Sequence, residues 1–399
     1  MSNSFITTDL VAREVLRIAH EKATFLGTID RQYDKSYFGV GAKHGSTLRV
    51  QKPNQYVVRS GRVMDVQDQD ESSETITVAT QVGVDMRFNS AELALSIDEF
   101  SKKYIAPAAS TLISNIESSV LQGATKLVAN LVGSAGAVPG ASGDISAFGQ
   151  ARARLNQYLA PMDSRSLQID SVTMASVVNG AKALFHDGAQ VKEAFREGYY
   201  SRAGGFDWYE NERVYRHLNG SDHTTVTVND AGIASGDEAI TAAGGNFTAG
   251  SVFTFGTGGT PVYAVHPETK ASLGFQRQFV ATAAGTTALA FAGHPYISTG
   301  AKQNVNTLPV TNDAITFFGD ANATYTNALA YHKEFAAFVT ADLPLMADAA
   351  ECTRRTQDGI SLRVWKGSDI RNDELLMRLD VLYGYAVLRP DWAVRINCT

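Results

Sequence analysis

The feature that most constrains the fold is an abrupt change of composition in the middle of the chain, at about residues 217–318. This stretch is rich in Thr, Ala and Gly and has almost no helical periodicity. Short apolar runs alternate with glycine-containing turns, which is typical of short β-strands. The strands predicted are Thr225–Val228, Ser251–Phe255, Val262–Val265, Gln278–Ala283, Ala288–Phe291 and Ala314–Phe317. About one hundred residues suffice for a small domain, so we predict a β-rich insertion at 217–318; the alternative, a set of long loops, is uncommon at this length.

Two helices are predicted on the N-terminal side of this stretch. The first covers 8–26, with Thr8 or Asp9 as its cap, because a short side-chain oxygen accepts an orphan backbone N–H. The second begins at Pro107, since proline suits the first helical turn, and is predicted to continue to Gly133. Its apolar residues recur on one side at helical spacing: Leu112, Ile113, Ile116, Val120, Leu127, Val128 and Leu131.

Between these two helices, residues 47–88 change to the spacing of strands. Ile76, Val78, Val82, Val84 and Met86 alternate with polar residues at a period of two. An earlier apolar stretch is separated from them by a charged segment, so a long hairpin with a charged tip is predicted. A hairpin of this kind is marginally stable by itself and needs a surface to lie on.

The remaining elements alternate between helices and strands, which indicates an α+β fold. The predicted elements are a capping box at Ser96–Glu99, a helix at 145–159 capped by Asp144, a strand at 167–173, a helix at 175–185, an amphipathic stretch at 191–196, and two strands carrying Ile360, Leu362 and Val364 and then Leu376, Arg378 and Asp380.

Composition excludes several broad classes. The net charge is −6, whereas proteins whose task is to grip nucleic acid are usually basic. The only cysteines are Cys352 and Cys398, which is too few for a disulfide framework and fits a reducing cytosol. The sequence has no basic and apolar leader and no run of eighteen apolar residues, so we predict no signal peptide and no membrane association.

Motifs for chemistry are weak throughout the chain. The glycine-rich segment Phe38–Ser46 lacks the Gly-Lys-Ser/Thr of a phosphate-binding loop. His217 and His223 flank Asp222, but solvation at the surface is favoured over a metal site. Asp207 and Glu210 beside Trp208 are a candidate carboxylate pair for glycoside chemistry, although packing of an aromatic residue at a strand edge is favoured. We therefore expect no catalytic residues, no cofactor and no metal.

Four segments of the chain, in order, resemble the P22-like family of tailed-phage major coat proteins. They are Lys43–Pro53; Ser96–Pro107, which leads into the long helix; Phe247–Phe253 with Val262–Lys270 and Phe275–Phe279; and the C-terminal run that includes Leu329–Phe335, Ala341–Pro344, Asp358–Val364, Arg378–Gly384 and Leu388–Pro390. Each is a weak signal alone, and residues 133–200 match by pattern only. Their common order makes the resemblance specific.

The resemblance implies the HK97-like capsid fold with an inserted small β domain. It implies an N-terminal arm at 1–46, an extended hairpin loop at 47–90, a spine helix and peripheral domain at 91–143, and an axial domain at 144–216. The inserted domain would cover 217–318, and residues 319–399 would return to the axial and peripheral domains.

The function implied is that of a major capsid protein, which assembles as pentamers and hexamers into an icosahedral head around double-stranded DNA. The implied partners are other copies of the chain, a scaffolding protein, a portal and, on the inner face, nonspecifically bound DNA; assembly would take place in the host cytoplasm. The alternatives are a carbohydrate-binding or tail-associated β protein that acts through 217–318, and a hydrolase that uses Asp207 and Glu210.

The charged hairpin tip is the candidate contact between subunits. Each exposed ion pair there would contribute about 0–1 kcal/mol, weak enough for assembly errors to dissociate. The alternative is that these charges are a solvated loop tip. The candidate contact residues are Arg59, Arg62, Asp65, Asp68, Asp70, Glu71 and Glu74.

Overall fold

The structure is a computed structural model that describes residues 8–31, 47–64, 66–67, 71–89, 101–141, 144–181, 202–221, 226–256, 259–346, 351–369, 371 and 374–399. Statements about structure below concern these residues. Their α-helices are α1 (Thr8–Lys22), α2 (Thr24–Thr28), α3 (Ala106–Lys126), α4 (Ser146–Gln157) and α5 (Ser171–Ala181). A π-helical turn, Ser101–Ile105, leads directly into α3.

Strands hold more of the described residues than helices do. They are β1 (Thr47–Gln51), β2 (Ser73–Thr77), β3 (Thr80–Asn89), β4 (Leu131–Val132), β5 (Arg165–Ile169), β6 (Arg202–Ala203), β7 (Phe206–Glu210), β8 (Tyr215–Leu218), β9 (Thr227–Val228), β10 (Ala239–Ala243), β11 (Val252–Phe255), β12 (Tyr263–Val265), β13 (Ser272–Gln276), β14 (Phe279–Val280), β15 (Ala288–Ala290), β16 (Ile315–Phe317), β17 (Thr324–His332), β18 (Ala336–Ala341), β19 (Glu351–Gln357), β20 (Ile360–Asp369), β21 (Glu374–Val387) and β22 (Ala393–Asn397).

The chain divides into two compact units. The first unit comprises residues 1–51, 73–120 and 336–388, and the second comprises 52–72, 121–335 and 389–399. Each unit is therefore built from segments that are distant in sequence.

A five-stranded antiparallel sheet forms the centre of the first unit. Its order is β18-β21-β20-β19, and the long strand β21 also pairs with β3. Helix α1 packs on β19 and β20 and buries one face of apolar residues there: Val11, Ala12, Val15, Leu16 and Ala19. The strand predicted around Ile360, Leu362 and Val364 is present, with these three side chains buried.

The first predicted helix is interrupted and is not capped as predicted. It breaks at Ala23 into α1 and α2. Thr8 lies inside α1, and its backbone N–H and hydroxyl both donate to Glu351 Oε1, at 2.9 Å each. Asp9 pairs with Arg355 and Arg13. Glu351 on β19 therefore accepts the N–H at the start of the helix, which a local cap was predicted to satisfy.

The predicted hairpin is shorter than expected. Strand β1 pairs with β2 from Thr47↔Thr77 to Gln51↔Ser73. The apolar alternation then continues into β3, but β3 joins the five-stranded sheet by pairing with β21. The run that the sequence assigned to one hairpin arm therefore serves two different sheets.

Helix α3 begins as predicted, with Pro107 in its first turn, but ends at Lys126 instead of near Gly133. The four apolar residues from Leu112 to Val120 are buried on one face. Leu131, which was assigned to the same stripe, lies on β4. The capping box at Ser96–Glu99 and the stretch 191–196 lie outside the described residues.

The second unit contains a seven-stranded sheet in the order β4-β22-β17-β5-β7-β6, with β8 also paired to β17. Helices α4 and α5 cover it through one apolar core that includes Phe148, Leu155, Met174 and Val177. Helix α5 starts earlier than predicted, and strand β5 ends earlier, because Asp170 Oδ2 accepts the N–H of Thr173 at 3.1 Å. Asp144 accepts the N–H of Ser146 at 2.8 Å. The helix begins at Ser146, one residue later than predicted, so its N-cap position is Ile145 and not Asp144.

The Thr, Ala and Gly-rich segment forms short antiparallel strands, as its pattern predicts. Strands β9 to β16 form small sheets ordered β15-β10-β9, β14-β11-β16 and β12-β13, of which β10 and β13 were not predicted. They enclose a core of aromatic rings that are at most 1 % exposed: Phe247, Phe253, Phe255, Phe279, Phe291 and Tyr296. This segment, called the insertion below, has a hydrophobic core of its own.

Candidate assembly surfaces

The tip of the hairpin, residues 52–72, continues from the paired strands β1 and β2. The N–H of Lys52 donates to the carbonyl of Ser72 at 2.8 Å. Further out, the side-chain amide of Gln67 bridges to the other arm. Its Oε1 accepts the N–H of Val57 at 2.9 Å, and its Nε2 donates to the Val57 carbonyl at 2.6 Å. The two arms are therefore held together near the tip by a side chain in place of a strand pair.

Several large apolar side chains of this tip are exposed. Val58 is 90 % exposed, Val63 84 % and Met64 75 %, with Val66 and Tyr56 also largely exposed. Single exposed apolar residues are common, whereas several large ones on one short segment are typical of a surface that binds another molecule. The sequence prediction assigned Tyr56 and Val58 to the first arm of the hairpin and considered only the charges at the tip, so it missed this exposed group.

Four of the predicted charged contact residues belong to the part of the chain that the structure describes. Arg59 and Arg62 are exposed, and Arg59 Nη1 donates to the carbonyl of Gly61. Glu71 is exposed, and Glu74 lies on β2 opposite Val50. Asp65, Asp68 and Asp70 lie outside the described residues. A role for these charges in binding another subunit stays a prediction.

A charged cluster lies within the five-stranded sheet of the first unit. Asp380 is fully buried and accepts hydrogen bonds at 2.7 Å from Arg363 Nη2 and from Arg378 Nε. The bond to Asp380 is the main cause that raises the pKa of Arg378. Gly83 on β3 leaves the necessary space, because a Cβ there would stand 2.7 Å from Asp380 Oδ1. The cluster ties strands β20 and β21 together.

The candidate carboxylate pair for glycoside chemistry is not assembled. Asp207 and Glu210 both lie on β7, three residues apart, so their side chains point to opposite faces of the strand. Asp207 pairs with Arg202 at 3.5 Å, while burial and Glu212 raise the pKa of Glu210. Trp208 packs on Phe148 and donates to the Ala203 carbonyl at 2.9 Å. This is the structural role that the sequence favoured.

His217 is buried, which corrects the expectation of a solvated surface residue. Its Nδ1 lies 2.9 Å from Tyr215 Oη and its Nε2 lies 3.1 Å from Ser251 Oγ. It lines a small cavity together with Arg395 and Asn327. His223 and Asp222 lie outside the described residues.

The described residues contain no candidate metal site and no candidate membrane-spanning helix. Within this part of the chain, no three His, Cys, Asp or Glu side chains are grouped in a way that could hold a metal ion. None of the helices seen there is long and apolar enough to cross a membrane.

Three solved structures that are similar to this chain come from phages. A structure from Mycobacterium phage Che8 has a TM-score of 0.50 at 12 % identity and covers 94 % of this chain and 91 % of its own. The capsid structure of the cyanophage P-SCSP1u gives 0.44 at 11 % identity, with coverages of 89 % and 84 %. The mature capsid of bacteriophage PhiM1 gives 0.43 at 10 %, with coverages of 89 % and 82 %. The first of these supports a shared fold, and identities this low concern the fold alone.

The class of protein is that of phage coat subunits with an HK97-like α+β fold. The family model described as "P22 coat protein - gene protein 5" matches residues 29–396, which is most of the chain. The chain therefore belongs to the P22 coat protein family, and it is a major capsid protein of a phage virion. None of the curated protein sequences compared with this chain matches it. The resemblance inferred from four segments of sequence is confirmed.

Proposed function

We propose that this capsid protein assembles as pentamers and hexamers into an icosahedral head that encloses double-stranded DNA. The exposed apolar tip of the hairpin is the observation that supports the assembly step most directly. Burial of apolar surface contributes about 25 cal/mol per Å2, so covering several valines and a methionine on a neighbouring subunit outweighs the small contribution of exposed ion pairs.

The two compact units suggest how the chain is used in the shell. We assign the peripheral role to the first unit, which holds α1, most of α3 and the five-stranded sheet. The second unit, with the seven-stranded sheet and the insertion, takes the axial role. Residues 1–46 would serve as an N-terminal arm; of these, the structure describes 8–31, where α1 packs on the chain's own sheet.

Assembly would take place in the cytoplasm of the bacterial host, together with a scaffolding protein and a portal. The net charge of −6 suits an inner surface that meets packaged DNA without binding it tightly. The role is structural, without catalysis and without a membrane. A carbohydrate-binding or tail-associated role is disfavoured, because most aromatic rings of the insertion are buried in its core.

The candidate contact residues Arg59, Arg62, Asp65, Asp68, Asp70, Glu71 and Glu74 would then surround the apolar contact and select its partner surface. Charges at the rim of an interface act mainly on association rate and specificity. Reversing Arg59 and Arg62 to Glu should therefore slow assembly, and the effect should weaken as salt is added.

The proposed function is tested by expressing the full chain in bacteria with and without the phage's scaffolding protein. The lysates are separated on a sedimentation gradient and examined by electron microscopy. Closed shells of uniform size with the scaffolding protein, and irregular polymers without it, are expected. A single population of small soluble species in both samples would contradict the proposal.

A further inference from the structure

The long helix α3 has Lys126 in its last turn and Asn130 shortly after it, but no glycine at its end. Its last residue, Lys126, is followed by Leu127, Val128, Ala129 and Asn130. Helices commonly end at a glycine in the left-handed conformation, and no glycine occurs until Gly133. The local sequence would therefore allow the helix to continue, and the position of its end needs another cause.

Side chains from elsewhere in the second unit bind the last carbonyl groups of α3. His294, which belongs to the insertion and is 5 % exposed, donates from Nε2 to the carbonyl of Leu127 at 2.8 Å. Arg395 on β22, which is 1 % exposed, donates from Nη2 to the carbonyl of Lys126 at 2.7 Å. Its Nη1 donates to the carbonyl of Gly250 in the insertion at 2.8 Å. Carbonyls without a helical partner are thus bound by a cation and an imidazole, and the cation also suits the negative end of the helix.

A third side chain binds the strand that follows. Strand β4 is at the edge of the seven-stranded sheet. The N–H of Leu131 donates to Gln278 Oε1 at 2.8 Å, and Gln278 Nε2 donates to the Leu131 carbonyl at 2.9 Å. The amide of Gln278 therefore occupies the place that a further strand would take, and it covers this edge against other pairing.

The segment that carries Gln278 is itself anchored on both sides. Phe275 lies under the guanidinium of Arg154, with Cζ 3.4 Å from the ring centre. Arg277 Nη2 donates to Asp391 Oδ1 at 2.8 Å. Phe279 is fully buried in the core of the insertion. The contacts of Phe275 with Arg154 on α4, of Arg277 with Asp391 and of Phe279 with the insertion core fix the position of the Gln278 amide.

We propose that the insertion acts as the terminating cap of α3 and as the cover of edge strand β4, through His294 and Gln278 and through Arg395, which it holds at Gly250. The insertion would thereby determine where the helix ends and how residues 127–132 enter the sheet. The insertion binds the backbone of its own chain here, so this role is independent of the role of the protein in a shell.

Hydrogen exchange of the full-length chain tests the proposal, with every variant compared in the same state of assembly. In Gln278→Ala and in Gln278→Glu, amides of residues 127–132 should exchange at least about tenfold faster, because alanine removes both hydrogen bonds to the Leu131 backbone and glutamate removes the one to its carbonyl. The glutamate variant keeps the size of the side chain but places an oxygen against the Leu131 carbonyl. The matched control is Gln276→Ala, since Gln276 Nε2 bonds to Phe255 within the insertion, at 3.4 Å.

A second pair of variants covers the case in which Gln278 substitutions disturb folding as a whole. His294→Gln keeps a donor, whereas His294→Leu removes it at similar size. Faster exchange at residues 124–128 in the leucine variant only is the expected result. Three results would each overturn the proposal. The first is equal exchange rates in both His294 variants, and the second is unchanged exchange at 127–132 in both Gln278 variants. The third is an equal acceleration of exchange in Gln276→Ala.

Discussion

At the scale of single residues, the described structure relies on a few buried charged groups that the sequence places far apart. Asp380 meets Arg363 across two neighbouring strands, and their side chains are 0 % and 5 % exposed. A buried ion pair of this kind gives little net stabilisation, but loss of one partner leaves an uncompensated charge. The Arg363–Asp380 pair therefore makes the register of β20 and β21 sensitive to substitution.

The first prediction concerns Asp380. The substitution Asp380→Ala should lower the free energy of unfolding by about 3–5 kcal/mol, because Arg363 would stay buried without its carboxylate. Urea denaturation of the unassembled subunit measures the change. Asp85→Ala is the control, since Asp85 is 75 % exposed and lies 3.6 Å from Arg378; its effect should stay below about 0.5 kcal/mol. Equal effects of the two substitutions would contradict the account.

The second prediction concerns pH. Burial is the main cause that lowers the pKa of His294 to about 4, with Arg277 and Arg395 also lowering it and Asp391 opposing them. The unfolded chain, with a histidine pKa near 6.5, binds this proton more readily than the folded one. Stability is therefore complete above about pH 6.5 and declines as the pH falls toward about 4, with a loss of about 2 kcal/mol between pH 7 and pH 5.

Urea midpoints at pH 7 and pH 5 measure this decline. Other groups also titrate over this range, so the informative quantity is the difference between the native chain and His294→Gln, which lacks the imidazole but keeps a donor. The native chain should lose more stability than the variant. The same loss in both would show that His294 does not carry the effect.

Sequence reasoning identified the position of some of these residues but not their environment. The alternation of Leu376, Arg378 and Asp380 correctly predicts strand β21. The burial of Asp380 could not be predicted, because its partner Arg363 lies on another strand and the necessary space comes from Gly83 on a third. His217 shows the same limit: its burial depends on Ser251, which is distant in sequence.

At the scale of elements, local signals predict starts better than ends. Pro107 correctly marks the beginning of α3, whereas the apolar run through Leu127 and Val128 places its end too late. Leu127 is half-buried and Val128 is buried, but they lie in a turn and an irregular segment after the end of the helix. Apolar residues at helical spacing indicate burial on one side but not the end of the helix. Contacts with Arg395 and His294 determine where the hydrogen-bonded helix ends.

Most strands of the insertion were predicted correctly for a related reason. Its strands are short, and glycine-rich turns separate them, so each boundary has a local signal. Strand β13 was missed because its sequence, Ser272–Gln276, has little apolar alternation. The hairpin was predicted in part: β1 and β2 pair, but the partner of β3 lies almost three hundred residues later, on β21, and no local pattern reveals such a partner.

The third prediction concerns the hairpin tip. The double substitution Val58→Asp with Val63→Asp should abolish shell assembly, because two charges would have to be buried at the contact. The fold itself should be affected by less than about 0.5 kcal/mol, since both valines are almost fully exposed in the subunit. Sedimentation measures assembly, and urea denaturation measures stability.

The control for this prediction is Val310→Asp. Val310 is an exposed valine of the insertion, 48 % exposed, so the substitution adds the same charge at a different surface. Normal shells from this control and none from the tip variant are expected. Normal shells from the tip variant would show that the tip is not an assembly contact.

At the scale of the whole molecule, the ends of the insertion lie close together. Leu218 pairs with Thr324 between β8 and β17, and the N–H of Asn219 donates to the Ala323 carbonyl at 2.9 Å. A short linker can therefore replace the insertion without stretching the chain. Such a replacement removes His294 and Gln278, which bind the end of α3 and strand β4.

The fourth prediction is that a chain with residues 221–321 replaced by a short Gly-Ser linker keeps part of its folded structure but assembles poorly. Circular dichroism and sedimentation measure the two properties. The expected physical reason is that the Leu131 backbone and Arg395 lose the hydrogen bonds that the insertion supplies, each of which contributes about 0.5–1.5 kcal/mol. Particles that are indistinguishable from those of the full chain would show that the insertion is dispensable for assembly.

The central claim, that this coat protein builds a shell through its extended hairpin, is tested most directly by a cryo-electron microscopy reconstruction of the particles formed in bacteria with the scaffolding protein. The account predicts pentamers and hexamers in which Val58, Val63 and Met64 of each subunit are covered by a neighbouring subunit. A shell in which the hairpin tip stays exposed to solvent, with the subunits joined entirely through other surfaces, would contradict it.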